Sequence, residues 1–220
     1  NFGRYFYPYD TFSFNNQIVY NYIASKHVAM HFSQGNEIAG NTGISWNCLK
    51  AYLNSKLAWD STLDQTDLVN RFFDRMYGAG SKIMREYFNT FRSYYQHLVV
   101  TDSNIGKLMS CFVTINQKKY WPMGTLESFI NYVDRAQALI DKEEFDDPKM
   151  ADIHKKNCEA QAVSPLYITL DLYRTVISKE QKMSVGNRLL DDVVWLELAN
   201  QIEKEGSSAT MADIVYGFMN

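Results

Sequence analysis

Residues 44–87 read ISWNCLKAYLNSKLAWDSTLDQTDLVNRFFDRMYGAGSKIMREY, and this stretch decides the fold. Trp46, Leu49, Leu53 and Leu57 fall at steps of three, four and four, which is one face of an α-helix. Tyr52 widens that face, while Lys50, Asn54 and Lys56 point away from it. The helix ends near Trp59. Asp60-Ser61-Thr62 then offers caps for a second helix, and either Thr62 with Gln65 or Asp64 with Asp67 fits a capping box. That second helix carries Leu68, Phe72, Phe73 and Met76, and Gly78 stands where a left-handed C-cap closes it. A third helix starts near Ser81 with Ile83, Met84, Tyr87, Phe88 and Phe91 inward. Burying one such side chain is worth about 1.5–3 kcal/mol, so the plain reading of these aromatics is core.

Further along, a helix is expected from about Thr125 to Lys142, with Leu126, Phe129, Ile130, Val133, Ala136 and Ile140 on one side. Before it, Leu108–Ile115 reads as a short strand or an irregular apolar stretch, closed by a turn over residues 117–122. The acidic run from Asp141 to Pro148 reads as a solvated break; a cation site is the sharper alternative, but no glycine-bearing calcium loop is present. A long helix is expected over 148–178, opened by Pro148 and kinked or divided by Pro165. Its second half, through Leu166, Ile168, Leu170, Leu172, Tyr173 and Val176, is apolar nearly all round and is expected at the centre. Another helix is expected over 184–205, followed by a hinge at Gly206-Ser207-Ser208 and a last helical segment toward Phe218.

Residues 1–45 have a different texture. The run Arg4 to Tyr9 is aromatic and β-prone. A helix is expected from Phe14 to Lys26, with Ile18, Tyr22 and Ile23 inward, then a short strand over His27–Phe32 and a loop over 33–37. Strand, helix, strand, loop is the rhythm of parallel βαβ architecture. A whole barrel takes about 250 residues and eight strands. The fold class is therefore mainly α: a helical bundle preceded by a short βαβ segment that looks like the last part of a (β/α) barrel. Residues 1–45 are assigned to that barrel-like region, and residues 46–220 to an all-helical C-terminal domain. The missing strands are expected from an upstream region of the same polypeptide or from an oligomer partner.

The motif Y-L-x-x-K-L-x-W-D, present here as Tyr52, Leu53, Lys56, Leu57, Trp59 and Asp60, carries a resemblance, as does Tyr77-Gly78-Ala79. Over residues 1–95 the chain resembles an uncharacterised bacterial family whose members are similar to α-glucuronidases and β-hexosaminidases, (β/α)-barrel glycoside hydrolases. In that family such a motif follows the last barrel strand and opens an all-helical C-terminal region. The resemblance implies a C-terminal fragment of a glycoside-hydrolase-like protein that acts on or binds glycans, not catalytic by itself. It also implies an oligosaccharide ligand, a glycosidase as the parent if the parent is an enzyme, and a secreted or periplasmic location. The competing reading is a stand-alone helical protein-interaction or structural domain.

In (β/α)-barrels the reacting groups sit at the C-terminal ends of strands. Those ends carry Tyr9 and Asp10 after the first expected strand, and Gln34, Asn36 and Glu37 after the second. Asp10 and Glu37 are candidate catalytic carboxylates for an acid/base pair. Equally, Asp10 can cap the following helix with Thr11, and Glu37 can be a solvated loop residue. Tyr9, Gln34, Asn36 and Trp46 are candidates for lining a sugar site.

Other chemistries find less support. Lys and Arg number 22 against 25 Asp and Glu, a net charge of −3, and no basic stretch interleaves with aromatics, which argues against nucleic acid. No apolar run approaches the ~20 residues of a membrane helix. The 15 Tyr, 13 Phe and 4 Trp fit sugar stacking and fit a packed helical core at least as well. His27 and His31 would pair on a helix but not on a strand, and no third ligand is evident, so no metal is expected. Cys48, Cys111 and Cys158 form no C-x-x-C pair, and an odd count argues against a complete disulfide framework. No nucleophile elbow, dinucleotide fingerprint or phosphate loop occurs, and no cofactor is expected. The glycines at 35, 40 and 43 mark a flexible loop only.

Overall fold

A computed structural model describes residues 6–8, 16–28, 30, 44–102, 105, 115–143, 147–198 and 210–220. Among them are nine α-helices and no strand: α1 (Asn16–Ser25), α2 (Asn47–Trp59), α3 (Gln65–Tyr77), α4 (Ser81–Thr101), α5 (Met123–Ile140), α6 (Pro148–Glu159), α7 (Val163–Tyr173), α8 (Lys179–Trp195) and α9 (Met211–Met219).

The central helices follow the apolar spacing. Leu49, Leu53 and Leu57 of α2, Leu68, Phe72 and Phe73 of α3, and Met84, Tyr87, Phe88 and Phe91 of α4 are all buried. So are Leu126, Phe129, Val133, Ala136 and Ile140 of α5. Asp64 caps α3, its carboxylate accepting from the N–H groups of Thr66 (2.6 Å) and Asp67 (3.0 Å). This is the second of the two caps the sequence offered; Thr62 instead closes a turn on Asp60. Asp147 caps α6, with Pro148 in its first turn.

Gly78 takes φ +49° and ψ −126°, and a single 3₁₀ turn over Gly78–Gly80 leads straight into α4. Met76, just before it, has its carbonyl held by His154 Nδ1 (2.9 Å) and by Asn157 Nδ2 (2.8 Å), which pins the end of α3 to α6. At Gly80 the backbone comes close to α5: an added Cβ would stand 3.2 Å from both the Cβ and the carbonyl oxygen of Ala136.

Helix α4 packs between α3 and α5, and α7 packs against α5, α8 and α9. Residues 163–170 of α7 are buried without a break, in keeping with a helix apolar all round. Beyond that run Leu172 and Tyr173 are half-buried and Val176 is exposed. Trp121 is fully buried in the turn before α5, and its indole N–H donates to the Ile115 carbonyl (2.7 Å).

Four expectations are corrected. The βαβ segment is not seen among the described residues: Phe6–Pro8 form a turn and bend, and His27 lies in the turn after α1. The physical reason is that Phe6 and Tyr7, consecutive in sequence, are both buried against α7, where Phe6 meets Tyr167 with ring centroids 5.0 Å apart. Val28 and Met30 of the second expected strand are described and neither is in a strand; the other residues of both expected strands lie outside the described residues, as do 106–114 and the hinge at 206–208. Second, Ile18 and Tyr22 of α1 are exposed, at 66% and 62%. The inner face is Gln17, Tyr20 and Ile23, because Gln17 exchanges hydrogen bonds with Gln65 and Ser61 at the start of α3.

Third, the expected long helix is divided, but at residues 160–162 and not at Pro165, which sits in the first turn of α7, where its missing N–H costs nothing. Fourth, α8 begins at Lys179 and not near 184, because Ser178 and Gln181 form a capping box there. No described helix is long and apolar enough to cross a membrane.

Candidate functional site

Tyr9, Asp10, Gln34, Asn36 and Glu37 lie outside the described residues, and so does His31. What is described is where the two segments that carry these candidates begin or end. The first leaves from Phe6-Tyr7-Pro8, where the Tyr7 hydroxyl donates to Asp171 Oδ2 of α7 (2.6 Å). Tyr7 is fully buried, edge-on to Trp121 and Tyr167. The second segment arrives at Ile44-Ser45-Trp46. Ser45 Oγ lies 2.7 Å from Ser164 Oγ, and the Trp46 N–H donates to Gln161 Oε1 (3.0 Å). Ser164 and Asp171 are both on α7, seven residues apart. Seven residues is about two turns, so they share a face with a rise of about 10 Å between them.

The Ile44–Trp46 turn is unusual in its backbone. Ser45 (φ +52°, ψ +35°) and Trp46 (φ +61°, ψ +20°) are both left-handed, and neither is glycine. Each such residue costs of order 1 kcal/mol and persists only where its surroundings hold it. Here the hold is explicit. All three residues are buried, and the Trp46 ring is surrounded by Tyr87 (5.1 Å between centroids), Phe88 (5.2 Å), Phe73 (5.8 Å) and Tyr77 (6.5 Å). Gln161, which accepts from the Trp46 N–H, is itself fixed where the Tyr87 hydroxyl donates to its carbonyl (3.1 Å). Trp46 is 3% exposed, so it is a core residue and does not present its ring to solvent.

A second polar arrangement was not singled out from the sequence. Glu159, at the end of α6, is 4% exposed and Asp192, on α8, is 3% exposed. The Glu159 carboxylate accepts from Arg188 Nε (2.7 Å), Arg188 Nη2 (3.0 Å) and Gln137 Nε2 (2.6 Å). Arg188 also reaches Asp134 of α5 (2.8 Å). Burial works against the Arg188 charge, but its bonds to Glu159 and Asp134 outweigh that and hold the guanidinium above its ordinary pKa. The Asp192 carboxyl touches that of Glu159, and its Oδ2 has no hydrogen-bond partner. Burial, and then the neighbouring Glu159 charge, push Asp192 up to about 8. The only sequence signal was the i, i+4 pair Arg188 and Asp192; Glu159 joins it from 29 residues away.

Cys158 is buried, and that burial holds its thiol well above the ordinary range. Among the described residues no three His, Cys, Asp or Glu side chains converge as a metal site would require.

Residues 5–89 match the family described as Domain of unknown function (DUF4838), less than half of the chain. No curated protein and no solved structure matches the chain. The matched region runs from the Phe6–Pro8 turn through α1, α2 and α3 into α4 and includes both segments with their candidate residues, so these features belong to the part of the chain that resembles an uncharacterised domain family.

Proposed function

We propose that this chain is the helical C-terminal portion of a glycoside-hydrolase-like protein that binds or acts on glycans, with its helices serving as the buttress for two site-bearing segments. The observation that carries this reading is the anchoring of both segments on one face of α7, through Tyr7 to Asp171 and Ser45 to Ser164. In this reading Asp10 and Glu37 act as the acid/base pair, and Tyr9, Gln34 and Asn36 contact the sugar. Trp46 contributes by fixing the end of the second segment. The test is Asp10→Asn and Glu37→Gln, singly and together, in the native polypeptide, assayed on oligosaccharides containing glucuronate or N-acetylhexosamine. General acid/base catalysis contributes roughly 10²–10⁴-fold, so each change is expected to lower turnover at least a hundredfold. Hydrolysis and binding both unchanged in the double variant would overturn the proposal.

A second reading, a helical protein-interaction domain, is favoured by one observation. Ile18, Tyr22 and Met30 expose 66%, 62% and 88% of their surface on and just after α1. Exposed apolar side chains such as Ile18 and Tyr22, one turn apart on α1, fit a protein partner better than a sugar. Retained glycan affinity after Ile18→Ser together with Tyr22→Ser would leave the first reading standing; loss of a co-purifying partner without loss of glycan affinity would support the second.

A further inference from the structure

Glu159 ends α6, and Asp192 lies on α8, one turn beyond Arg188. Their carboxyl groups are in contact in a nearly dry interface, with one guanidinium between them and Asp134. Two buried carboxyl groups in contact cannot both ionise cheaply. Glu159 receives all three donors, two from Arg188 and one from Gln137, so it is the charged partner and Asp192 carries the proton.

The groups that act on Asp192 are few. From α6 comes Glu159; on α8 itself are Arg188 and Asp191; from α5, Asp134 acts through Arg188. Helices α7 and α9 also pack on α8, but their charged groups are engaged elsewhere: Asp171 with Tyr7 and Arg174, and Asp213 with Thr210. Among the described residues Arg188 is the cation that acts on Asp192, and Asp192 Oδ2 is without a donor.

We propose that Glu159 and Asp192 form a one-proton latch between α6 and α8, closed while Asp192 is protonated and loosened when it ionises. Loss of the proton puts two carboxylates in contact across the interface, and Arg188 is already shared with Asp134. The latch lies at the start of the buried 159–162 connection, two residues before Gln161, which holds the Trp46 turn. Opening it therefore acts on the same connection that fixes the end of the second site-bearing segment.

Trp195 is a built-in reporter. It sits three residues after Asp192 on α8, with Lys156 Nζ of α6 6.0 Å from its ring centroid. The experiment is a fluorescence titration of the intact protein between pH 6 and 9.5, with Trp195→Phe subtracted to isolate that signal. A one-proton transition near pH 8 is expected in the wild type. It should be absent in Asp192→Asn, which stays neutral and keeps the shape of the acid. In Glu159→Gln, Asp192 faces Arg188 without a competing carboxylate, and the midpoint should fall by at least one pH unit. A flat wild-type titration, or a transition unchanged in either variant, would overturn the latch. Should Asp192→Asn fail to fold, the shift in Glu159→Gln decides alone.

Discussion

Gly78→Ala tests the positive-φ turn between α3 and α4. At φ +49° and ψ −126° any residue with a Cβ is strained, at a cost of about 1–3 kcal/mol. The new Cβ would also stand 2.9 Å from His154 Cδ2 and 3.0 Å from Nε2. His154 cannot swing away cheaply, because it is 6% exposed and its Nδ1 bonds the Met76 carbonyl at 2.9 Å. Losing that bond would cost about 0.5–1.5 kcal/mol, toward the lower end because Asn157 still serves the same carbonyl. The total is about 2–4 kcal/mol. With a urea slope of about 2–3 kcal/mol per molar, that is a midpoint lower by about 1 M at unchanged slope. The comparison is Gly217→Ala in α9, where an added Cβ meets nothing within 4 Å, and a gain of about 0.4–1 kcal/mol is expected. Combining Gly78→Ala with His154→Ala separates the two causes, since removing the ring relieves the contact and leaves the strain. A Gly78→Ala protein within about 0.5 kcal/mol of the wild type would refute both parts of the reasoning.

Tyr7→Phe keeps the buried ring and removes only its hydrogen bond to Asp171, so a loss of about 0.5–1.5 kcal/mol is expected, read as a fall of a few degrees in Tm. An unchanged Tm would mean that this bond does not hold the first segment to α7. The Asp192 latch also has a stability signature. Its pKa in the folded protein is raised from 3.8 to about 8, so between those values the folded state binds more protons than the unfolded one. Stability from this group is full at acid pH and is lost as pH rises toward 8, with a slope of at most about 1.4 kcal/mol per pH unit. Asp192→Asn lacks that slope, so urea unfolding at pH 5 and pH 9 should show the variant gaining on the wild type at pH 9; parallel behaviour would contradict the assignment.

The helices around the Trp46 cluster were legible because their information is local. Spacings of three and four bury Leu49, Leu53, Phe72, Phe88 and Val133, and Asp64, one of two caps the sequence offers, and Pro148 at the first turn of α6 are read within three residues of each helix start. The described parts of the first 45 residues depart from expectation where local signals are ambiguous. An aromatic run such as Phe6-Tyr7 has high strand propensity, but that propensity reflects fit to a half-buried surface, and here the surface is α7. The apolar residues of α1 point to Ile18 and Tyr22 as its inner face, yet it turns Gln17 inward, because Ser61 and Gln65, 44 and 48 residues away, satisfy that side-chain amide. The candidate residues Tyr9, Asp10, Gln34, Asn36 and Glu37 came from the barrel reading, and the structure speaks to them only through the anchors beside their segments.

By itself, the sequence determined that this is a mainly helical chain, roughly where α1 to α5 begin, and which faces of α2 to α5 turn inward, since hydrophobic period and capping act within a few residues. Tertiary structure alone decided the rest. The left-handed Ser45 and Trp46 are held by partners 119 and 115 residues away, Tyr7 by one 164 away, and the Asp192 proton by a carboxyl group on another helix. Each of these states is unfavourable for the residue taken alone. It exists because groups distant in the chain are brought into a dry, packed interior, where burial raises both the cost of a missing partner and the worth of a present one.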